Sequence, residues 1–525
     1  MSGAWSSLPL TVAPPWFPLH FVPAANLVEF LPELVVAAGM VLVILTDLFI
    51  SPAHRGRLAV ITGAVLLAGF CVAVGEWIGR VPAGPVFDGA FAADRFGLFA
   101  DFLILLVALA VTGLSPSYLR RRRLESGEYY VLLLASVTGM MVLAGATNLI
   151  VVFLGIELLS IPLYVLCALN RDDGLGQEAA IKYLLLGGFA SAFLVYGMAL
   201  VYGEAGATNL AQIHRVLLHG ALAGRADPML LAGLALIGVG LAFKVSAVPF
   251  HWWTPDVYQG APVLVTTFMS VATKVAGFAA FLRIFSVTFG TAQSDWTVPV
   301  ALVAIASMVY GNVVALAQRS LKRMLAYSGI AQAGYILIGV AVGQPDGTGA
   351  ALYYLAAYAA MNLGAFGILT ALSGQGEDCD DYGGLVGLAR RQPLLASLMS
   401  LFLLSLAGFP LTAGFFGKFF LFSAAIHDGQ IPLALWGVVT SAVSLFYYLR
   451  VILAMFTEPA VGAERVEVAG MMVDGAAVGR AQLALVRPAL GTQAILLVLA
   501  AATLLLGVFP ALVYSLVQGI HVVAG

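Results

Sequence analysis

The chain is 525 residues long, 61% hydrophobic and only 10% charged, with a mean hydropathy of +0.99 and a formal charge of −2. Soluble domains are nearer half apolar and a quarter charged, so the solvent for most of this chain is lipid. The near-zero charge excludes a polybasic nucleic-acid binder. Cys71, Cys167 and Cys379, with no CxxC spacing, exclude a cysteine-held cluster, a zinc site and a disulfide framework.

Met1 to Ala25 holds four prolines before Phe21 and no Lys or Arg. It lacks the basic n-region of a cleavable signal, so the first span is expected to stay as an anchor. Apolar stretches of the ~20-residue length that crosses the hydrocarbon follow at 27–50, 58–79, 96–118, 129–146, 147–168, 180–203, 229–250, 262–286, 298–318, 324–343, 349–373, 393–424, 431–456 and 492–520. The expected fold is therefore an all-α polytopic membrane protein of about fourteen transmembrane helices. The fourth and fifth spans nearly touch at Ala146–Thr147, and the twelfth is interrupted by Gly-Phe-Pro-Leu at Gly408 to Leu411. No glycine-rich nucleotide fingerprint stands in a strand–helix context.

Charge placement tests this count. The loops after odd-numbered spans carry Arg55, Arg57, Arg120 to Arg123, Arg171, Lys182, Arg319, Lys322, Arg323, Arg390, Arg391, Arg465, Arg480 and Arg487, with Arg450 at the same end of span thirteen. The other side carries only Arg80, Arg95, Arg215, Arg225 and Arg283. The positive-inside rule then puts the odd loops in the cytoplasm and both termini outside. Three of the 25 basic residues remain, Lys244, Lys274 and Lys418, and each lies inside a span, whereas the arginines lie in loops or near span ends.

A charged side chain at mid-bilayer costs about 3 kcal/mol or more. Arginine does not deprotonate there, but lysine does, because burial favours its neutral form. Lysine at all three buried positions points to proton transfer. Glu157, mid-span between Val151 and Pro162, is the candidate counter-charge, since a carboxylate at that depth is protonated or paired. Pro162 is positioned to loosen its helix. Two segments read as broken helices, Phe243 to Asp256 and Leu406 to Lys418, each with a Pro within eight residues of its Lys. His251 in the first break is a candidate proton relay. Glu29, Glu33, Asp47, Asp101 and Glu204, near span ends, are expected to be interfacial.

The organisation expected is a three-span region 1–128, a first five-helix unit 129–286, a second, inverted unit 298–456, and a loop with the final span in 457–525. A broken helix is the fourth member of each unit. Glu157 has no counterpart in span ten, and Lys274 is set against Ser441 to Tyr447 in span thirteen.

Lys244 through Pro262, reading KVSAVPFHWWTPDVYQGAP, and GFPLTAGFFGK ending at Lys418 closely resemble the signatures of the antiporter-like subunits of respiratory complex I. The chain most resembles the subunit N type of bacterial NADH:quinone oxidoreductase, which is similar to mitochondrial NADH dehydrogenase subunit 2, over about Val28 to Phe456 and the final span. The resemblance implies proton transfer through Glu157, Lys244, Lys274 as the link between half-channels, and Lys418 on the exit side. It implies no cofactor or metal in this chain, with flavin, iron–sulfur clusters and quinone in partner subunits. It implies neighbouring antiporter-like membrane subunits and lipid as partners, no nucleic acid, and a bacterial inner (plasma) membrane location. A cation/proton antiporter of the Mrp type is the alternative, and a structural membrane scaffold is the second rival. The proline-rich start and the loop from Glu458 to Leu490 carry no assignment.

Overall fold

The computed structural model describes residues 24–51, 54–79, 84–222, 227–343, 345–374, 378–458, 465–468, 471–474, 488–520 and 522. Most of Met1 to Ala25, most of the Glu458 to Leu490 loop, and Arg80, Arg225, Arg480 and Arg487 lie outside the described residues.

Helices α1 (Leu31–Phe49), α2 (Gly56–Gly79), α3 (Arg95–Arg122), α4 (Gly127–Gly145), α5 (Leu149–Cys167), α6 (Gly174–Ala205) and α7 (Pro228–Val245) come first. A short α8 (Trp253–Gly260) follows the first break, then α9 (Val263–Met269) and α10 (Ala272–Phe281), which runs on as a π-helical turn to Thr288. The rest are α11 (Gln293–Leu316), α12 (Leu321–Val342), α13 (Asp346–Leu372), α14 (Pro393–Ala407), α15 (Ala413–His427), α16 (Ile431–Phe456), α17 (Leu490–Val508) and α18 (Pro510–Gln518). Among the described residues, thirteen segments are long and apolar enough to cross a membrane. The pair α14 and α15 makes the remaining span, split at the expected Gly408 to Leu411. Two small antiparallel hairpins, β1 (Gly84–Val86) with β2 (Phe91–Ala93) and β3 (Arg465–Val468) with β4 (Met471–Asp474), sit between spans.

Helices are the natural answer for an apolar chain in lipid, because they satisfy every backbone group internally. Their starts are fixed by side-chain caps from Asp94, Ser126, Asn148, Asp173, Asp227 and Ser320, each accepting a first-turn N–H. The apolar windows of α12 and of the α9–α10 span are wholly buried and that of α13 nearly so, while α1, α6 and α17 keep most of theirs on the outer surface. The centre of the bundle is thus the helix set carrying Lys274 and the polar side of α12. Small residues let helices close: a Cβ at Gly139 of α4 would run into the Leu159 backbone of α5, the helix of Glu157.

Three expectations change. The span at 262–286 is not one helix, since Ser270 and Val271 interrupt it between α9 and α10. Helix α5 runs unbroken through Pro162. Arg283 is not at an interface: it is buried within the span that ends at Thr288, donating two hydrogen bonds of 2.8 and 2.9 Å to Asp94 and a third of 3.1 Å to Ala144 O.

Candidate functional site

Lys244 lies in the last turn of α7, nearly sealed from solvent. Its Nζ donates to Ser160 Oγ of α5 at 2.6 Å and stands 5.8 Å from the ring centre of Tyr183. Ser160 in turn donates to Ile156 O. Glu157, one turn before Ser160, accepts from Ser191 Oγ of α6 at 2.5 Å. Glu157 and Lys244 form no ion pair within 4.0 Å; in place of the expected direct pairing each bonds a different serine, Ser191 and Ser160 respectively. Ser160, Ser191 and Lys244 share a cavity of about 10 Å³, room for one water.

Lys274 opens α10 immediately after the Ser270–Val271 interruption, and its Nζ donates to Val245 O at 3.0 Å. That carbonyl ends α7, one residue beyond Lys244. Helix α10 also packs on the Lys244 stem, since a Cβ at Gly277 would lie 3.6 Å from Lys244 Cγ. On the other flank, the bare Cα of Gly329 makes room, since a Cβ there would lie 3.9 Å from Lys274 Nζ.

Helix α12 carries the polar line onward. Ser328, next to Gly329, shares a hydrogen bond of 2.5 Å with Tyr448 Oη of α16. Gln332, one turn on, donates to Tyr448 Oη at 3.3 Å and to Leu406 O at 3.2 Å, and its own oxygen accepts from Tyr354. Leu406 O also accepts from Lys418 Nζ at 3.0 Å, as does Ala407 O at 3.0 Å, with Ser441 Oγ at 2.8 Å completing the ammonium's three bonds. The Tyr335 ring lies 4.7 Å from the same ammonium. Beyond Lys418 a cavity of about 420 Å³ opens between the second break and α16, walled by Phe409, Phe415, Phe419 and Phe422. Polar groups are therefore placed in succession from the half-buried Glu157 and buried Lys244, past Lys274, to the hydrogen-bonded set of Ser328, Tyr448, Gln332 and Lys418.

The two breaks share a terminus geometry. Helix α7 ends on a left-handed Ser246 and α14 on a left-handed Gly408, each N–H folding back onto the preceding turn. Lys274 and Lys418, not Lys244, seat their ammonium groups against the resulting carbonyl ends, where the helix dipole is negative. Ser441, set against Lys274 by sequence, is bonded to Lys418 instead.

His251 is buried in the first break, its ring packed against Trp252 and Tyr310 with centroids 5.0 and 4.6 Å away. Its Nδ1 meets no hydrogen-bond partner, and none of the three lysines reaches it.

Charged residues missed by the sequence reading form a second layer. Glu33 and Asp101 are buried, against the interfacial expectation, whereas Glu204 is exposed, Glu29 is half-buried and Asp47 faces Arg55 at 3.6 Å. Lys322, read as a loop cation, is buried, donating to Ala261 O at 2.9 Å and to Asp378 at 3.2 Å. Asp378 also accepts from Tyr118 Oη at 2.8 Å and from the Val263 N–H at 2.9 Å, which starts α9, with Arg122 at 3.8 Å. Burial alone would push the Asp378 carboxyl up. Lys322, Arg122 and the two hydrogen bonds outweigh it and hold the carboxyl below its usual range. The signal for this hub was four acids in one loop, Glu377, Asp378, Asp380 and Asp381, following a chain otherwise sparse in charge.

Among the described residues no three His, Cys, Asp or Glu side chains gather as metal ligands, and the three cysteines are free. Residues 146–444, which contain all of Glu157, Lys244, His251, Lys274 and Lys418, match the family model described as NADH:quinone oxidoreductase/Mrp antiporter, TM. The NADH-quinone oxidoreductase subunit N of Trichlorobacter lovleyi is 42% identical over 434 residues, 83% of this chain and 88% of that one. Its namesake from Chloroflexus aggregans is 41% identical over 508 residues, 96% of this chain and 99% of that one. The chain belongs to the NADH-quinone oxidoreductase subunit N family. It is a multi-pass bacterial membrane protein and a subunit type of that enzyme complex. A chain of respiratory complex I from Thermus thermophilus superposes on this subunit N chain with a TM-score of 0.75 at 32% identity, covering 94% of it and 100% of the solved chain. A chain of the Mrp complex from Dietzia superposes with a TM-score of 0.78 at 26% identity, covering 94% and 96%.

Proposed function

We propose that this subunit moves protons across the bacterial inner membrane and does no redox chemistry itself. Electrons pass from NADH to quinone in partner subunits, which hold the flavin and the iron–sulfur clusters, and neighbouring antiporter-like subunits and lipid surround this one. The proton-carrying residues are Glu157, Lys244, Lys274 and Lys418. A change of charge at Glu157 reaches Lys244 through Ser160 and Ser191, the proton moves by Lys274 and the polar side of α12 to Lys418, and it leaves toward the outer face. Both termini lie outside, and residues 129–286 and 298–456 act as two inverted five-helix units. One charge moved against 100 mV costs about 2.3 kcal/mol, so the redox reaction supplies at least that per proton. His251 stands apart from the line and is kept only as a secondary relay of the first break.

The observation that carries this reading is the placing of a lysine at each carbonyl end, with Lys274 beside Gly329 of α12 and a run of hydrogen bonds from Ser328 through Tyr448, Gln332 and Leu406 O to Lys418. The test is Lys244→Ala in the assembled complex. NADH-driven proton uptake and quinone-linked NADH oxidation are expected to fall while NADH-to-ferricyanide electron transfer stays at its native rate; native proton uptake in that variant overturns the assignment. The Mrp-type reading has in its favour the likeness to the Dietzia complex. It requires sodium- or potassium-dependent proton flux without NADH, measured in the same vesicles.

A further inference from the structure

Gln332 lies on the line between Lys274 and Lys418, fully buried together with Ser328, Tyr354 and Tyr448. Its neighbours fix which way the carboxamide faces. Leu406 O only accepts, so the atom 3.2 Å from it is the amide nitrogen. The oxygen on the other side accepts from the Tyr354 hydroxyl. The second amide hydrogen goes to Tyr448 Oη at 3.3 Å, and Tyr448 Oη shares a further hydrogen bond of 2.5 Å with Ser328 Oγ. The amide donors of Gln332 therefore point both ways, toward Leu406 O on the Lys418 side and toward Tyr448 Oη on the Lys274 side.

A hydroxyl relays a proton by accepting one and giving up another. A carboxamide nitrogen has no basic lone pair, and the group does not ionise at physiological pH. The titratable groups around it are Lys274, Lys418 and the tyrosines at 335, 354, 358, 447 and 448, and no carboxylate is hydrogen-bonded to any of them. We infer that Gln332 is an insulating gate, a positioning residue that interrupts proton transfer between Lys274 and Lys418 while its amide is docked on Leu406 O. Passage requires that amide to leave the carbonyl. Leu406 O carries one bond from Gln332 and one from Lys418, so the charge on Lys418 bears directly on the gate. The inference rests on the transport reading above.

Gln332→Glu, nearly the same shape, sets a group that does take and release protons at this point. In the purified complex reconstituted into vesicles, without NADH and under an imposed pH gradient, it is expected to raise passive proton conductance on the order of tenfold, less than the roughly 10²- to 10⁴-fold that a fully positioned acid–base group contributes. With NADH, protons taken up per NADH oxidised fall while ferricyanide reduction is unchanged. Gln332→Met removes the bonds without adding a proton carrier and is expected to stay tight, and Lys274→Met combined with Gln332→Glu is expected to close the leak. If Gln332→Glu prevents assembly, Gln332→His adds a proton carrier at the same point. Native tightness in every assembled Glu or His variant overturns the gate, and so does a Met variant that leaks as much as the Glu variant, because packing alone then explains the seal. If Lys274→Met alone pumps normally, the transport reading fails. If it stops pumping while Gln332→Glu remains tight, only the gate fails.

Discussion

Replacing Lys274 with Met separates transport from architecture. The lysine makes one hydrogen bond, to Val245 O at the end of α7. Losing it leaves a buried acceptor without that donor, a cost of about 1–3 kcal/mol. Against this, the variant no longer holds an ammonium group at mid-membrane, a relief of about 3 kcal/mol on insertion scales. Met follows the lysine stem, so packing against Gly329 changes little. The two effects oppose each other at similar size, and assembly is expected to survive. Transport is another matter, because a positioned acid–base group contributes about 10²- to 10⁴-fold. Flux through this chain is expected to fall to about 1% of native or less, which also follows from that factor. The assay is NADH-driven acidification of vesicles holding the purified complex, read with a pH-sensitive dye and normalised to ferricyanide reduction. A native proton yield per NADH in an assembled Lys274→Met complex refutes the reasoning. Poor assembly with a native yield per assembled complex refutes it too, and makes the lysine a helix pin.

Two further outcomes follow from charges outside the proton line. Asp378→Asn leaves Lys322 and Arg122 buried without their carboxylate and is expected to lower stability by about 3 kcal/mol in thermal unfolding of the detergent-purified protein. The native carboxyl sits below its usual range, so its contribution is complete above the unfolded value of about 3.9 and is lost as pH falls through the depressed value; the Asn variant therefore shows a flatter acid limb, and an unchanged limb contradicts the hub. Arg283→Met removes the guanidinium that bonds Asp94 and is expected to cost about 3–5 kcal/mol. The double change with Asp94→Asn, which keeps the cap on Gly97 N–H, is expected to recover most of that loss, and a strictly additive double mutant argues against the pair.

The spans were legible because a helix in lipid needs about 20 apolar residues, and nothing else in the chain imitates that signal. The breaks were legible from Pro249 and from Gly408-Phe409-Pro410, where the missing N–H and the flexible glycine disfavour a continuous helix, although α5 shows at Pro162 that a proline alone does not break one. The Ser270–Val271 interruption carries no such mark. It is held by long-range bonds, Tyr358 Oη donating to Ser270 O at 3.2 Å and Asn362 to Ser270 Oγ at 3.0 Å. Buried lysines stood out because charge in lipid is costly. Gln332, Tyr448 and Ser328 did not, since neutral polar side chains in an apolar run carry little penalty. Position along a span also misled at Glu33, Asp101, Arg283 and Lys322: each lies near a helix end, yet neighbouring helices bury all four.

Why lysines rather than ion pairs occupy the two carbonyl ends follows from what a half-helix terminus offers. The last carbonyls of α7 and α14 carry partial negative charge that a cation neutralises without any carboxylate. A carboxylate partner would hold the lysine in its charged form, because the attraction vanishes only when one of the two is neutralised. A carbonyl end serves both forms. As an ammonium, Lys418 fills Leu406 O, Ala407 O and Ser441 Oγ with its three donors. As an amine it keeps two donors and gains a lone pair, and Ser441, which already donates to Ala407 O, covers that carbonyl itself. The site therefore stays hydrogen-bonded in either state, and the proton leaves without stranding a buried charge. Lys244 differs. Its one bond is to Ser160, with Glu157 on the same helix a turn away, so in the transport proposed above it takes the coupling signal from that carboxyl, while Lys418 is the group from which protons leave.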